Sequence, residues 1–172
     1  MSQVAPKDVQ GAPIVVLCLH GPNLNLLGRR EPQIYGATTL EEVDAALVAL
    51  GVELGVAVEC VQSNHEGALI DAVQAGMGRV DGLLINPGGY THTSVALRDA
   101  VSALAVPAIE VHISNVYRRE AFRHVSLFAD VCQGRLMGFG TAGYLLALRG
   151  VVEIVNSDRA RRRTLTNRGD AP

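Results

Sequence analysis

Unbroken apolar runs alternate along this chain with stretches in which apolar residues recur every third or fourth position. The first run covers 14–19: Ile14, Val15, Val16, Leu17, Cys18 and Leu19. A parallel strand buried on both faces carries this pattern. A long loop from His20 to about Ala37 follows. Leu40, Val43, Leu47, Leu50 and Leu54 then fall on one helical stripe, and Thr39 with Glu42 makes a capping box at its start. The alternation repeats. A second strand is expected over 56–61, with Ser63 and Glu66 as a second capping box ahead of Leu69, Ile70 and Val73. A third strand is expected over 80–85, and Thr91 or Thr93 is placed to cap a helix carrying Leu97, Val101 and Leu104. A fourth strand over 106–111 leads to a loop and short helix. A weaker strand near 135–139 precedes a final helix that starts near Thr141 and carries Leu145, Leu146, Leu148, Val151 and Val152.

Strand–helix units repeated in this way imply a parallel sheet covered on both faces, joined by right-handed crossovers. Five units of this size predict an α/β, flavodoxin-like three-layer sandwich with a five-stranded parallel sheet in the order 2-1-3-4-5. With 172 residues and no break in composition, one domain over 13–157 is expected. Residues 1–12 are polar, with Pro and Gly, and are expected to be flexible. So is the basic segment 158–172, which holds Arg159, Arg161, Arg162, Arg163 and Arg168.

Composition narrows the class. Hydrophobic residues make up 48% and aromatics 4%, with no Trp, so the core must be aliphatic. A net charge of -2 gives no general argument for nucleic acid or anionic membrane partners. No apolar run approaches the length of a membrane span, and the first residues lack the pattern of a signal peptide. Cys18, Cys60 and Cys132 are widely spaced, which supports neither a disulfide framework nor a metal knuckle, and they read as small buried hydrophobes. A reduced, soluble, cytoplasmic protein is expected.

The strand order locates the chemistry. Ligands of open α/β sheets bind at the carboxyl ends of strands, where the strand order reverses. Strands 1, 3 and 4 are neighbours at that point. They are followed by His20-Gly21-Pro22-Asn23-Leu24-Asn25, by Asn86-Pro87-Gly88-Gly89-Tyr90-Thr91-His92, and by Glu110-Val111-His112-Ile113-Ser114-Asn115. These polar stretches rich in Gly and His interrupt an otherwise aliphatic chain. Taken singly, their residues have ordinary readings. Asn after Gly-Pro is a turn residue, Gly88 and Gly89 serve turn geometry, and Glu110 with His112 is a polar pair at a strand end. Tyr35 is a loop tyrosine packing over an edge, His92 starts a helix, and Arg123 is solvated.

The longer blocks are specific. GPNLNLLGRREPQIYG, NPGGYTHTSVALRDA and EVHISNVYRREAFR resemble the three signature blocks of type II 3-dehydroquinases, and SNHEGALIDAV and GFGTAGYLLAL resemble two further segments of that family. The similarity runs in order from about Ile14 to about Arg149. It implies a cofactor-free and metal-free lyase that dehydrates 3-dehydroquinate to 3-dehydroshikimate by anti elimination through an enolate. Such an enzyme serves the shikimate pathway, or alternatively quinate catabolism.

The resemblance also implies roles. Tyr35 matches the base, and a phenol with an ordinary pKa of about 10 needs stabilisation of its anion to act at neutral pH. Arg30 matches the essential lid arginine and Arg119 a second one. Asn23 matches the residue that fixes the enolate oxygen, where an uncharged donor suits a charge that appears only during reaction. His112 matches the general acid. Glu110, two residues earlier on the same side of an extended segment, orients the imidazole and favours its protonated form. Ile113 and Ser114 match the groups that bind the substrate carboxylate, and Asn86, Gly88 and Gly89 match substrate-binding positions. His92 and Arg123 match residues that hold ring hydroxyls. Asp99 matches an aspartate that reaches a neighbouring subunit's site in a dodecamer built of trimers.

Two departures from the family pattern stand out. His20 replaces the Asn that usually precedes Gly-Pro-Asn, and Arg135 in Cys132-Gln133-Gly134-Arg135 replaces a more apolar approach to the last strand. Two rival classes remain open. A flavodoxin-like module holding a phosphorylated cofactor needs a Ser, Thr and Gly cradle after strand 1, where this chain has Pro22, Asn23 and Leu24. A metal hydrolase built on His92, Glu110 and His112 lacks a closely spaced ligand pair.

Overall fold

The computed structural model describes residues 12–29 and 37–169. The unbroken run at the start becomes β1 (Ile14–His20), near the middle of the sheet. Successive side chains of a strand point to opposite faces. Val16 and Cys18 therefore enter one apolar cluster, and Leu17 and Leu19 enter another. β2 (Val56–Gln62), β3 (Gly82–Asn86), β4 (Ala108–His112) and β5 (Gly134–Met137) complete a five-stranded sheet in the order β2-β1-β3-β4-β5, with every pairing parallel. The predicted order and the flavodoxin-like three-layer arrangement are both present. β3 and β4 are buried throughout, as central parallel strands require, and the edge strand β5 is half-buried.

The first cluster lies beneath α1 (Leu40–Leu54) and α4 (Ala142–Gly169), and the second beneath α2 (Glu66–Ala75) and α3 (Val95–Leu104). α1 starts with the expected capping box. The Thr39 hydroxyl accepts from the Glu42 amide at 3.2 Å, and the Glu42 carboxylate accepts from the Thr39 amide at 2.8 Å. The other two predicted caps differ. Ser63 accepts from the His65 amide at 2.9 Å in a local turn, so α2 begins two residues later than a Ser63–Glu66 box requires. Ser94, rather than Thr91 or Thr93, caps α3 by accepting from the Leu97 amide at 2.9 Å. The 3-10 turn Gly88–His92 occupies the residues before it.

Residues 158–169, expected as part of a flexible extension, continue α4. The Arg159 guanidinium pairs with Asp81 at 2.9 Å and donates to the Ala12 carbonyl at 3.1 Å. Asp81 in turn accepts from the Val15 amide at 2.9 Å, which ties the helix to the start of β1. Apart from Ala12, the expected N-terminal segment lies outside the described residues. No helix among those residues is long and apolar enough to cross a membrane.

Candidate active site

Parallel pairing brings the carboxyl ends of β1, β3 and β4 side by side, with His20 in register with Asn86. Two glycines allow the loops leaving β1 and β3 to touch. The Gly21 amide donates to the Asn86 carbonyl at 2.8 Å, and a Cβ on Gly21 would stand 2.3 Å from the Pro87 carbonyl oxygen. Gly88 has φ +58, in the left-handed region, and a Cβ there would meet the Pro22 carbonyl oxygen at 3.1 Å. Asn23 also adopts a left-handed conformation, φ 67, which Asn tolerates better than most residues. The Asn64 side-chain oxygen holds its amide at 2.8 Å, and its own side chain caps nothing.

These loops and the segment after β4 enclose a cavity of about 240 Å³. Asn23, Asn86, Gly88, Gly89, His92, His112, Ile113, Ser114, Arg119 and Arg123, all singled out in the sequence, line it. Pro22, Leu24, Leu26, Leu27 and Val116 complete the wall. Glu110 lies one step behind. It is fully buried, and its Oε1 is 2.7 Å from His112 Nε2. Asp99 is elsewhere, largely exposed on α3 and paired with Arg98 at 2.9 Å, so it does not line this chain's own cleft. Arg30 and Tyr35 lie outside the described residues.

The site has a second tier that the sequence motifs did not reveal. The Ser126 hydroxyl lies 2.9 Å from each Glu110 oxygen, and Arg135 Nε stands 2.6 Å from Oε2. Arg135 is the register neighbour of Glu110 on β5, so the residue that departs from the family pattern serves as the counter-ion. Burial pushes the Glu110 carboxyl up, but the His112 hydrogen bond and charge, Arg135 and Ser126 together outweigh it and hold the group below its ordinary value. On the rim, His92 Nδ1 donates to the Val125 carbonyl at 2.6 Å, Arg123 packs over Phe122 and pairs with Glu120 at 2.7 Å, and Arg119 reaches Ser114 at 3.4 Å.

Under the β1–β3 side, Tyr144 of α4 is fully buried. It accepts from the Asn86 side-chain nitrogen at 2.8 Å and meets His20 Nδ1 at 3.3 Å. His20, the other departure, is thus absorbed into the core. Burial lowers its pKa, but Asp44 and Cys60 raise it further, leaving it above the ordinary value. Cys18 is buried in the core as expected, and Cys60, packed against the same cluster, is its register partner. The Cys18 hydrogen bond is the largest influence on Cys60, and against the effect of burial it brings that thiol to about 7. All three cysteines are free thiols.

His92, Glu110 and His112 do not gather into a metal-ligand cluster among the described residues. The turn after β1 is a three-residue 3-10 helix, Leu24–Leu26, and a cradle of Ser and Thr is missing from it.

A protein of Ruegeria pomeroyi named 3-dehydroquinate dehydratase is 55% identical over 146 residues, covering 85% of this chain and 98% of its own length. One of Aspergillus terreus named catabolic 3-dehydroquinase 1 is 55% identical, covering 81% and 91%. The crystal structure of a type II dehydroquinase from Butyrivibrio crossotus superposes with a TM-score of 0.79 at 44% identity, covering 85% of this chain and 99% of that one. The family model described as dehydroquinase class II matches residues 14–152, so nearly the whole folded unit is accounted for, and this chain belongs to that family.

Proposed function

We propose that this chain is a 3-dehydroquinate dehydratase that eliminates water through an enolate to give 3-dehydroshikimate. The observation that carries the reading is the cleft itself, in which His112 stands on a buried Glu110 and faces Asn23, Asn86 and Ser114 across one cavity. In this reading Tyr35 removes the proton next to the ketone, with Arg30 and Arg119 stabilising the tyrosinate. Asn23 meets the enolate oxygen, and its side chain is not engaged as a cap. His112 protonates the departing hydroxyl. Its Nε2 is taken by Glu110, which leaves Nδ1 for the substrate. Ile113 and Ser114 receive the carboxylate, while Asn86, Gly88, Gly89, His92 and Arg123 seat the ring and its hydroxyls.

No step calls on a cofactor or metal. The exposed position of Asp99, away from its own cleft, supports a role at a neighbouring subunit's site in a dodecamer built of trimers. The folded unit as a whole is taken as one catalytic domain. Three free thiols support a reducing, cytoplasmic setting.

The test follows the rise in ultraviolet absorbance as the conjugated enone forms from 3-dehydroquinate, with and without EDTA. Turnover is expected to survive the chelator and to fall by at least about 10²-fold in Tyr35→Phe. No turnover by folded wild type overturns the function. Undiminished turnover in Tyr35→Phe overturns the base. Light scattering is expected to show twelve chains, and a monomer with full activity overturns the role of Asp99.

A further inference from the structure

Glu110 shares a face of β4 with Ala108, on the side covered by α2 and α3. The opposite face of the sheet, beneath α1 and α4, carries a second group of reactive side chains that the elimination does not use. Cys18 and His20 are two residues apart on β1 and so point the same way. Cys60 stands beside Cys18 on β2. The two sulfurs and a ring nitrogen of His20 all lie within 4.8 Å of one another, and Cys18 Sγ is 3.5 Å from His20 Nε2. From α1, Asp44 brings Oδ1 to 2.9 Å from the same nitrogen. That oxygen is buried and receives no aligned hydrogen bond. Two sulfurs and a nitrogen thus converge from β1 and β2, and a carboxylate oxygen from α1 stands beside the nitrogen, outside that mutually close group.

We propose that Cys18, His20 and Cys60, with Asp44 at the fourth position, form a binding site for a thiophilic divalent metal ion, zinc by its donor set. Two sulfurs with imidazole and carboxylate suit a closed tetrahedral site. Zinc–sulfur and zinc–nitrogen bonds of about 2.3 and 2.05 Å set a tetrahedral S···N edge of about 3.6 Å. The Cys18–His20 separation of 3.5 Å already matches it. The corresponding N···O edge is about 3.4 Å, so the Asp44 carboxylate must swing, its oxygen moving away from the nitrogen by roughly half an ångström and toward the sulfurs. Its side chain is 32% exposed and has room to do so.

Two thiolates cancel the charge of a divalent ion, which suits the fully buried Cys18 and His20, and the remaining charge of the Asp44 carboxylate sits on the side chain that keeps contact with solvent. The outer partner is also in place. An imidazole bound through Nε2 carries its proton on Nδ1, and Tyr144 Oη lies 3.3 Å away to accept it. Nothing in this argument depends on the dehydration chemistry.

The test uses the full-length protein, stripped with chelator and kept reduced with a phosphine. Co²⁺ is added as a spectroscopic probe, then Zn²⁺. One equivalent of Co²⁺ is expected to give thiolate-to-cobalt charge-transfer absorbance with the intense visible bands of a tetrahedral site. One equivalent of Zn²⁺ abolishes both and raises the thermal midpoint. Cys18→Ala and Cys60→Ser should cut the charge-transfer absorbance to half or less, and His20→Asn should weaken cobalt binding by about tenfold or more. Cys132→Ser, whose cysteine packs against the opposite cluster, should keep everything. If Cys18→Ala does not fold, Cys60→Ser decides, because Cys60 is only half-buried and its circular dichroism reports the fold directly. The proposal is overturned by folded, reduced wild type that shows no charge-transfer band in excess Co²⁺, by a pale octahedral spectrum, or by bands of undiminished intensity in Cys60→Ser.

Discussion

Replacing Glu110 by Gln tests whether the buried carboxylate orients His112 and holds the β4–β5 edge. The carboxylate accepts from His112 at 2.7 Å and from Ser126 at 2.9 Å, and it pairs with Arg135 at 2.6 Å. Glutamine keeps one acceptor oxygen, but its amide nitrogen presents a donor to groups that are themselves donors. Of the three contacts, about two are lost, at roughly 1.5–3 kcal/mol for each charge-assisted bond. The expected destabilisation is about 3 kcal/mol, near the lower limit for breaking a buried ion pair. At about 2–4 °C per kcal/mol for a chain of this size, the thermal midpoint should fall by roughly 6–12 °C.

The same change should lower kcat by about 10- to 100-fold with KM little altered, because a loosened His112 harms proton delivery more than binding. The pH signature has a defined sign. The Glu110 carboxyl is held below its ordinary value, so its contribution to stability is present above the ordinary carboxylate range and lost as pH falls through the folded-state pKa. The gap between wild type and Glu110→Gln should therefore narrow in acid. Thermal melts across pH and initial rates by ultraviolet absorbance measure both effects. A gap under about 0.5 kcal/mol with unchanged kcat refutes the reasoning, and so does a gap that stays constant into acid.

Three further outcomes are expected. Gly21→Ala places a methyl 2.3 Å from the Pro87 carbonyl oxygen, so the loops after β1 and β3 must separate; kcat/KM should fall by about 10²-fold, and near wild-type rates would refute this reading of the loop contact. Arg159→Ala removes the tie between α4 and β1 and leaves Asp81 without that partner; a loss of about 1–3 kcal/mol is expected in urea unfolding, and a change within about 0.5 kcal/mol would mean that the helix end is held by other contacts. Leu84→Ala empties a fully buried position in β3; a loss of about 2–5 kcal/mol in the same assay is expected, and a smaller one would mean the two layers collapse to fill the gap.

Hydrophobic pattern alone determined much of this protein. A β-strand buried on both faces reads as a nearly continuous apolar run, so Ile14 to Leu19 announced β1 without further information. Capping is local chemistry, and Thr39 with Glu42 was legible for that reason. The placement of Asn23, Asn86, His92, His112 and Ser114 in one cleft followed from the strand order, because neighbouring strand ends must share a crevice. Sequence separation hides the rest. Glu110 and Arg135 meet only because β4 and β5 pair in one particular register, and a shift of one residue would turn Arg135 to the other face. The same register sets Cys18 beside Cys60. Tyr144 reaches His20 and Asn86 only through the packing of α4 on the sheet. Arg159 read as part of a solvated tail because its partner, Asp81, lies 78 residues away. Patterns of neighbours along the chain decide elements, whereas partnerships between charges and thiols depend on which elements lie side by side and in what register, and these are settled only when the whole sheet closes over its two layers of helices.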